Sequence, residues 1–225
     1  QVVSFGAYQQ LVAESLASQA AVAVHNRRLR RRETSLLRYK RELQIGRGIQ
    51  ASFFPDTLPQ PPGWELAARF HAAREVAGDF YDAFALPHNK ISLVIADVCD
   101  KGVVAALFMA LLRSLLRSTI QQHYYLTAHY GQLAAGAEEG AQPALNLPKG
   151  PFSPIDSTAL LDSVRLINGY IGGNHAGTHI FATLFFGILD PMSGKILYVN
   201  CGHIPPLLRT ADGRETNLMP TGPAV

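Results

Sequence analysis

The sequence predicts an α+β fold, and three observations support this class. An apolar, β-rich run at residues 90–98 predicts a buried strand, and residues 180–189 and 195–200 predict two further strands joined by a short turn. Apolar residues at helical spacing predict helices over 103–119 and 156–171. The helices and the antiparallel strands are segregated along the chain, which is typical of α+β layers.

Composition limits the range of functions. The chain has 225 residues, of which 48% are hydrophobic and 16% charged, enough to bury one full domain plus a further element. Its two cysteines, Cys99 and Cys201, lie in apolar strands, which favours a reduced, cytoplasmic setting over a disulfide framework. No uninterrupted apolar run approaches the roughly 18 residues of a membrane helix, so we expect no membrane association.

The first element in the chain is one long helix, or two in succession, predicted over residues 8–50. Leucine or valine recurs there every seven residues, at Val22, Leu29, Leu36 and Leu43. This spacing predicts a parallel coiled-coil homodimer, although Arg32 and Gly46 interrupt the seam. An amphipathic helix packed on its own domain explains the pattern equally well.

The same helix carries a run of basic residues between Arg27 and Arg41. A solvated helix face explains such a run best, because no aromatic residues interleave with it and no nucleic-acid motif accompanies it. We therefore expect no nucleic-acid partner. A DNA-associated regulator would require salt-sensitive duplex binding that depends on Arg27–Arg32.

The remaining segments complete the predicted architecture. A proline-rich loop at 55–63 leads into a strand over 64–73. Residues 121–154 lose the helical pattern and predict an inserted loop or flap. A last strand is predicted over 206–210, before a turn.

Two aspartates stand where strands begin or end. Asp97 lies at the C-terminal end of the strand at 90–98, and Asp79 begins an alternating run about twenty residues earlier. If these strands pair, the two carboxylates converge, and hard oxygen ligands suit Mg²⁺ or Mn²⁺ better than zinc. The alternative is that each aspartate only forms a turn or caps a helix.

Four motifs carry a family resemblance. They are Val-Ala-Gly-Asp-Phe-Tyr-Asp at 76–82, Ile-Ala-Asp-Val-Cys-Asp-Lys-Gly at 95–102, Phe-Ala-Thr-Leu-Phe-Phe-Gly-Ile-Leu-Asp-Pro at 181–191, and Tyr-Val-Asn-Cys-Gly-His-Ile-Pro-Pro at 198–206. In this order they resemble the SpoIIE/RsbU-type bacterial serine phosphatases, which are metal-dependent relatives of protein phosphatase 2C. The resemblance covers about residues 42–223.

The resemblance implies a fold and a chemistry. It implies a four-layer αββα sandwich and hydrolysis of phosphoserine or phosphothreonine with two Mn²⁺ or Mg²⁺ ions. The metal ligands implied are the carboxylates of Asp79 and Asp97 and the backbone carbonyl of Val98. Two such cations would activate water and neutralise the phosphoryl oxygens.

It also implies a domain organisation. Residues 16–29 resemble the closing helix of a GAF sensor domain, so we expect residues 1–50 to be a sensor helix plus a coiled-coil linker. Residues 51–225 would then be a phosphatase domain incomplete at its C terminus, because the family's two further metal aspartates come later. We expect this chain alone to have weak activity or none.

The resemblance further implies that the substrate is a STAS-type anti-sigma-factor antagonist. The alternative to an enzyme is a pseudophosphatase that binds a partner without hydrolysis. Further candidates for contacts to the substrate or support of the metal ligands are Arg74, Asp100, Asn200 and His203. Arg74 could instead pair with a neighbouring carboxylate, and His203 could be purely structural. The sequence departs from the family at Ala77, usually glycine, and at Cys99-Asp100, usually Ser-Gly.

Overall fold

The long N-terminal helix is present as predicted. The computed structural model describes residues 6–135, 151–175, 177 and 180–225, apart from the side chains of 127–135. Contacts divide the chain into two compact units, residues 1–45 and 46–225. Helix α1 spans Ala7–Ala51, and the heptad residues Val22, Leu29 and Leu36 are exposed on it. Coiled-coil pairing of this helix stays a prediction.

A four-stranded antiparallel sheet organises the second unit. Its strands are β1 (Phe80–Leu86), β2 (Lys90–Val98), β3 (Ala182–Asp190) and β4 (Lys195–Cys201), in the spatial order β1-β2-β3-β4. Strands β1 and β2 form one hairpin, and β3 and β4 form another. The tight turns need positive φ angles, which are supplied by His88 and Asn89 in the first hairpin and by Gly194 in the second.

Two helices cover one face of this sheet. Helix α2 (Val103–Ala135) and helix α3 (Pro154–His175) pack on the face formed by alternate strand residues, including Phe80, Phe84, Leu184, Phe186 and Ile188. In the part of α2 whose side chains are described, the buried residues are Ala105, Met109, Leu112, Leu116, Ile120 and Tyr124, which recur at helical spacing. Short strands β5 (Leu207–Arg209) and β6 (Glu215–Asn217) form a separate ribbon. The predicted α+β class is therefore confirmed.

The strand predicted over 64–73 is wrong, because this segment has no strand pairing. The side chain of Gln60 instead bonds both the amide and the carbonyl of Leu66, at 3.0 and 2.7 Å. The indole Nε1 of Trp64 donates to the carbonyl of Pro191 at 3.0 Å. Side chains rather than a neighbouring strand therefore fix the segment to the domain.

The loop predicted from residue 121 is wrong over its first part. Helix α2 continues to Ala135, and the hydroxyl of Tyr124 is buried in a hydrogen bond to Asp156 of α3. Residues 136–150 of the predicted loop lie outside the described residues. Residues Val103–Leu126 are long and apolar enough to cross a membrane, but the core helix of a globular domain meets the same criterion. Since one face of α2 forms the core here, we interpret it as such a helix.

Candidate metal and phosphate site

Strand pairing brings Asp79 and Asp97 together. Phe80 pairs with Ala96 across the β1–β2 ladder, so the residue before Phe80 stands opposite the residue after Ala96. The two carboxyl groups lie within hydrogen-bond reach of each other. Asp97 lies inside β2, and α2 begins only at Val103, so Asp97 does not cap that helix.

The electrostatics of this pair favour a bound cation. Burial raises the pKa of Asp79, and the charge of Asp97 and a hydrogen bond to its side chain raise it further, while His203 lowers it. Two adjacent carboxylates repel each other when both are ionised. A divalent cation between them would remove that repulsion, so the donor set fits Mg²⁺ or Mn²⁺.

The backbone carbonyl of Val98 lies beside the aspartate pair. A Cβ added at Gly78 would stand 2.6 Å from this oxygen and 3.1 Å from the Cβ of Ala105 in α2. Only glycine permits so close an approach between the segment before β1, the end of β2 and the first turn of α2. The third predicted ligand is therefore next to the residue that precedes Asp79.

A cavity of about 360 Å³ opens onto the pair. Asp79, Asp97 and Asp100 line it, together with Arg74 and Lys101. Cationic side chains beside a carboxylate pair can bind the oxygens of a phosphate group. Arg74 was a candidate from the sequence, whereas Lys101 was missed. The only sequence signal for Lys101 was its position next to Asp100.

Asp100 has an unusual backbone conformation. Its φ angle is +83°, a region that favours glycine, and its Oδ1 accepts a hydrogen bond from the amide of Lys101 at 2.7 Å. This explains why aspartate can replace the glycine of the motif, since a short polar side chain can bond its own backbone there.

His203 and Asn200 form one hydrogen-bonded unit beside the pair. His203 Nδ1 lies 2.9 Å from the hydroxyl of Thr183, which pairs with Asp97 in the β2–β3 ladder. Burial lowers the pKa of His203, and the charge of Asp79 raises it. Asn200 is fully buried, and its Oδ1 accepts from the His203 amide at 2.9 Å. Asn200 therefore orders the loop that carries His203.

Gln50, at the end of α1, contacts the segment before Asp79, and the sequence did not predict this contact. Its Nε2 donates to the carbonyl of Ala77 at 2.6 Å, and its Oε1 accepts from the Ala77 amide at 3.0 Å. Gln50 is 6% exposed. The last turn of α1 thus holds the backbone two residues before Asp79. A lone glutamine in a helix gives no sequence signal for this contact.

The candidate site consists of two adjacent carboxylates at one end of the antiparallel sheet. Among residues 6–135, 151–175, 177 and 180–225, no group of three or more His, Cys, Asp or Glu side chains could hold a metal. The described residues therefore provide two carboxylates and a neighbouring carbonyl, part of the set that a tightly held ion needs.

Comparison with known proteins gives the family. The profile of the Stage II sporulation protein E (SpoIIE) family matches residues 87–225. The chain therefore belongs to the SpoIIE family, in agreement with the predicted resemblance to SpoIIE/RsbU-type phosphatases.

Individual relatives agree with this assignment. The chain is 41% identical over 188 residues to Protein IcfG of Synechocystis sp., covering 82% of this chain and 28% of IcfG. It is 23% identical over 189 residues to the phosphoserine phosphatase RsbP of Bacillus subtilis, covering 84% and 39% of the two chains. It is 31% identical over 74 residues to the phosphoserine phosphatase RsbU of the same organism, covering 33% and 22%. The chain thus spans well under half the length of these relatives.

Two solved structures match part of the chain. The RsbU and RsbW domains of Rv1364c from Mycobacterium tuberculosis match with 28% identity and a TM-score of 0.44, over 68% of this chain and 33% of that one. The phosphatase domain of SpoIIE from Bacillus subtilis matches with 18% identity and a TM-score of 0.33, over 65% and 49%. At these TM-scores the family assignment depends on sequence.

Proposed function

We propose that this chain is part of a metal-dependent protein serine/threonine phosphatase. The observation that carries the proposal is the juxtaposition of Asp79 and Asp97 across the β1–β2 ladder, in a cavity that also contains Arg74 and Lys101. Membership of the SpoIIE family supports it, as do relatives named phosphoserine phosphatases.

Each residue of the cavity has a role in this proposal. Asp79, Asp97 and the Val98 carbonyl hold the cations, and Arg74 and Lys101 orient the phosphate. Two Mn²⁺ or Mg²⁺ ions would supply an activated water and neutralise charge on the phosphoryl group. Asp100 adds negative charge beside the cations, and Asn200 fixes the loop of His203.

The proposed substrate is a phosphorylated protein, specifically a STAS-type anti-sigma-factor antagonist. Family membership is the support for this class. Phosphoserine and phosphothreonine antagonists should therefore be hydrolysed in preference to generic phosphoesters.

We also propose that a sensor before this domain controls it through α1. The support is the paired hydrogen bonds between Gln50 and Ala77, since any movement of the last turn of α1 also moves the backbone that leads to Asp79. Exposed heptad residues on α1 support a homodimer. Leu29→Asp and Leu36→Asp should convert a dimer to a monomer by light scattering, whereas the control Thr34→Asp, on the outer face of the heptad, should not.

The test of the phosphatase proposal uses the native-length protein. Turnover of a generic phosphoester with Mn²⁺ is compared with that of Asp79→Asn and Asp97→Asn, which keep side-chain shape but remove the ligand charge. We expect metal-dependent turnover that falls by about 100-fold or more in either variant, as a loss of several kcal/mol of charge stabilisation implies. No turnover from folded, metal-loaded protein would instead favour a partner-binding pseudophosphatase. We expect the 225-residue chain alone to be weakly active or inactive.

A further inference from the structure

Asp82 lies in the same motif as Asp79 but points to the opposite face of the sheet. It lies on β1, and its side chain is 1% exposed. Arg117 Nη1 of α2 is 3.1 Å from both of its carboxylate oxygens, and Arg113 Nη2 is 3.1 Å from Oδ2. One buried carboxylate therefore joins β1 to two successive turns of α2.

Burying this ion cluster has an electrostatic cost. Burial lowers the pKa of Arg113, an effect that Asp82 opposes and the charge of Arg117 reinforces. The Nε of Arg113 is buried and has no hydrogen-bond partner among the described residues. Arg117 also stacks over the ring of Phe84, at 4.4 Å from its centroid. Buried ion pairs often stabilise a fold no better than apolar residues would, so stability alone does not explain a carboxylate buried between two guanidinium groups.

The two elements that Asp82 joins both lead into the metal site. Strand β1 begins directly after Asp79, and α2 begins directly after the loop that carries Asp100 and Lys101. The first turn of α2 also packs against Gly78, through Ala105. The position of α2 relative to β1 therefore sets the separation between Asp79 and the loop after β2.

We infer that Asp82 is a positioning residue for metal binding, which acts through Arg113 and Arg117 by fixing α2 against β1. This inference rests on the proposed metal site at Asp79 and Asp97. Asp82 itself is not a ligand, because its carboxylate is committed to the two guanidinium groups on the helix-facing side of the sheet.

The chain offers a matched control in Asp156. This carboxylate is also buried and also joins the sheet to a helix, with hydrogen bonds from Lys90, Tyr124 and Ser153. Burial would raise its pKa, but these hydrogen bonds lower it overall. Lys90 is the first residue of β2, whereas Asp97 is near its end, so this cluster lies away from the metal site.

The experiment measures Mn²⁺ binding to the full-length protein by calorimetry, beside urea unfolding of the metal-free protein. For Asp82→Asn we expect Mn²⁺ affinity to fall by about 10- to 100-fold, as for residues that orient metal ligands. At saturating Mn²⁺, kcat should recover towards the wild-type value, and Asp82→Glu should restore part of the affinity. Asp156→Asn should lower unfolding stability but leave Mn²⁺ affinity unchanged.

Equal losses of Mn²⁺ affinity in Asp82→Asn and Asp156→Asn would overturn the inference, because a general loss of stability would then explain both. Unchanged affinity in Asp82→Asn would overturn it as well. If Asp82→Asn does not fold, Arg117→Gln is measured instead, because it leaves the contact between Arg113 and Asp82 in place. The Mn²⁺ affinity of Arg117→Gln should also fall. Wild-type protein that binds Mn²⁺ without turnover would contradict the proposed function but not this inference. Wild-type protein that binds no Mn²⁺ would contradict both.

Discussion

Gly78 lies against the carbonyl oxygen of Val98 so closely that a methyl group at position 78 would stand 2.6 Å from it. Gly78→Ala must therefore push the segment before β1 away from the end of β2. We expect a loss of about 1–3 kcal/mol in the free energy of unfolding, typical of overpacking, and weaker Mn²⁺ binding. Chemical denaturation and calorimetry would measure the two effects.

A second glycine provides the control for this substitution. Gly172 lies in α3 with nothing within 4 Å of an added Cβ. Gly172→Ala should stabilise the protein by up to about 1 kcal/mol, because alanine favours a helix. A destabilisation of the same size at both positions would contradict the steric explanation.

Gln50→Ala should uncouple α1 from the metal site. The substitution leaves the half-buried amide and carbonyl of Ala77 without their partner, which should cost about 1 kcal/mol of stability. Because Ala77 precedes Asp79 by two residues, we also expect a higher Mn²⁺ concentration at half-maximal activity.

Gln60→Ala is the matched control, since Gln60 makes the same paired bonds to Leu66 at an exposed position. It should leave the Mn²⁺ requirement unchanged. The coupling would be disproved by equal shifts in the two variants.

Asp79→Asn should stabilise the metal-free protein at neutral pH. The pKa of Asp79 is raised above its usual value of 3.8, chiefly by burial, so the folded state binds this proton more readily than the unfolded chain. Stability is therefore lost as the pH rises through the folded pKa, and a neutral amide avoids that loss. Thermal unfolding in EDTA should show a higher Tm.

The same variant should lose the rise in Tm that Mn²⁺ gives to the wild type. Asp212→Asn, at an exposed turn, should keep this rise and gain no stability in EDTA, since hydrogen bonds from Thr210 and Arg214 lower the pKa of Asp212. A lower Tm for Asp79→Asn in EDTA would show that its carboxylate has a favourable partner in the metal-free protein.

His203 should make the metal-free protein less stable in mild acid. Burial lowers its pKa below the usual value of 6.5, so the unfolded chain binds the proton more readily. The free energy of unfolding should therefore fall as the pH drops below about 6.5. His203→Gln should reduce this slope in urea unfolding, and His71→Gln, at an exposed position, serves as the control. If the free energy of unfolding of His203→Gln depended on pH as steeply as that of the wild type, His203 would not be the source of this pH dependence.

Local pattern was enough to predict most of the sheet and the convergence of Asp79 with Asp97. Strand alternation and one hairpin specify that contact, since both aspartates lie at the same end of β1 and β2. The segment at 64–73 was mispredicted as a strand. Its hydrogen bonds are made with the side chains of Gln60 and Trp64 rather than with a neighbouring strand. The length of α2 was underestimated because Tyr124, which reads as a loop residue, is buried against Asp156.

Contacts between distant parts of the chain could not be predicted. Gln50 with Ala77 and Asp82 with Arg113 and Arg117 each join elements whose relative position depends on packing. Polar residues in helices usually face solvent, so their patterns give no sign of a buried partner. The metal roles of Asp79, Asp97 and Val98, and the roles of Arg74, Asp100, Asn200 and His203 towards the substrate, stay predictions.

The pairing of the strands has a consequence for folding. The β1–β2 hairpin closes over a few residues. Pairing of β2 with β3, in contrast, joins residues that are far apart in the sequence, such as Ile91 and Leu189. Local hairpins form in about 1–10 μs, and distant pairings are slower. Asp79 and Asp97 both belong to the local hairpin, so we expect them to meet early on the folding pathway. Each doubling of the length of the connection between β2 and β3 costs only about 0.6 kcal/mol in closure entropy. Because the β1–β2 hairpin alone brings the two aspartates together, a longer connection would not separate them.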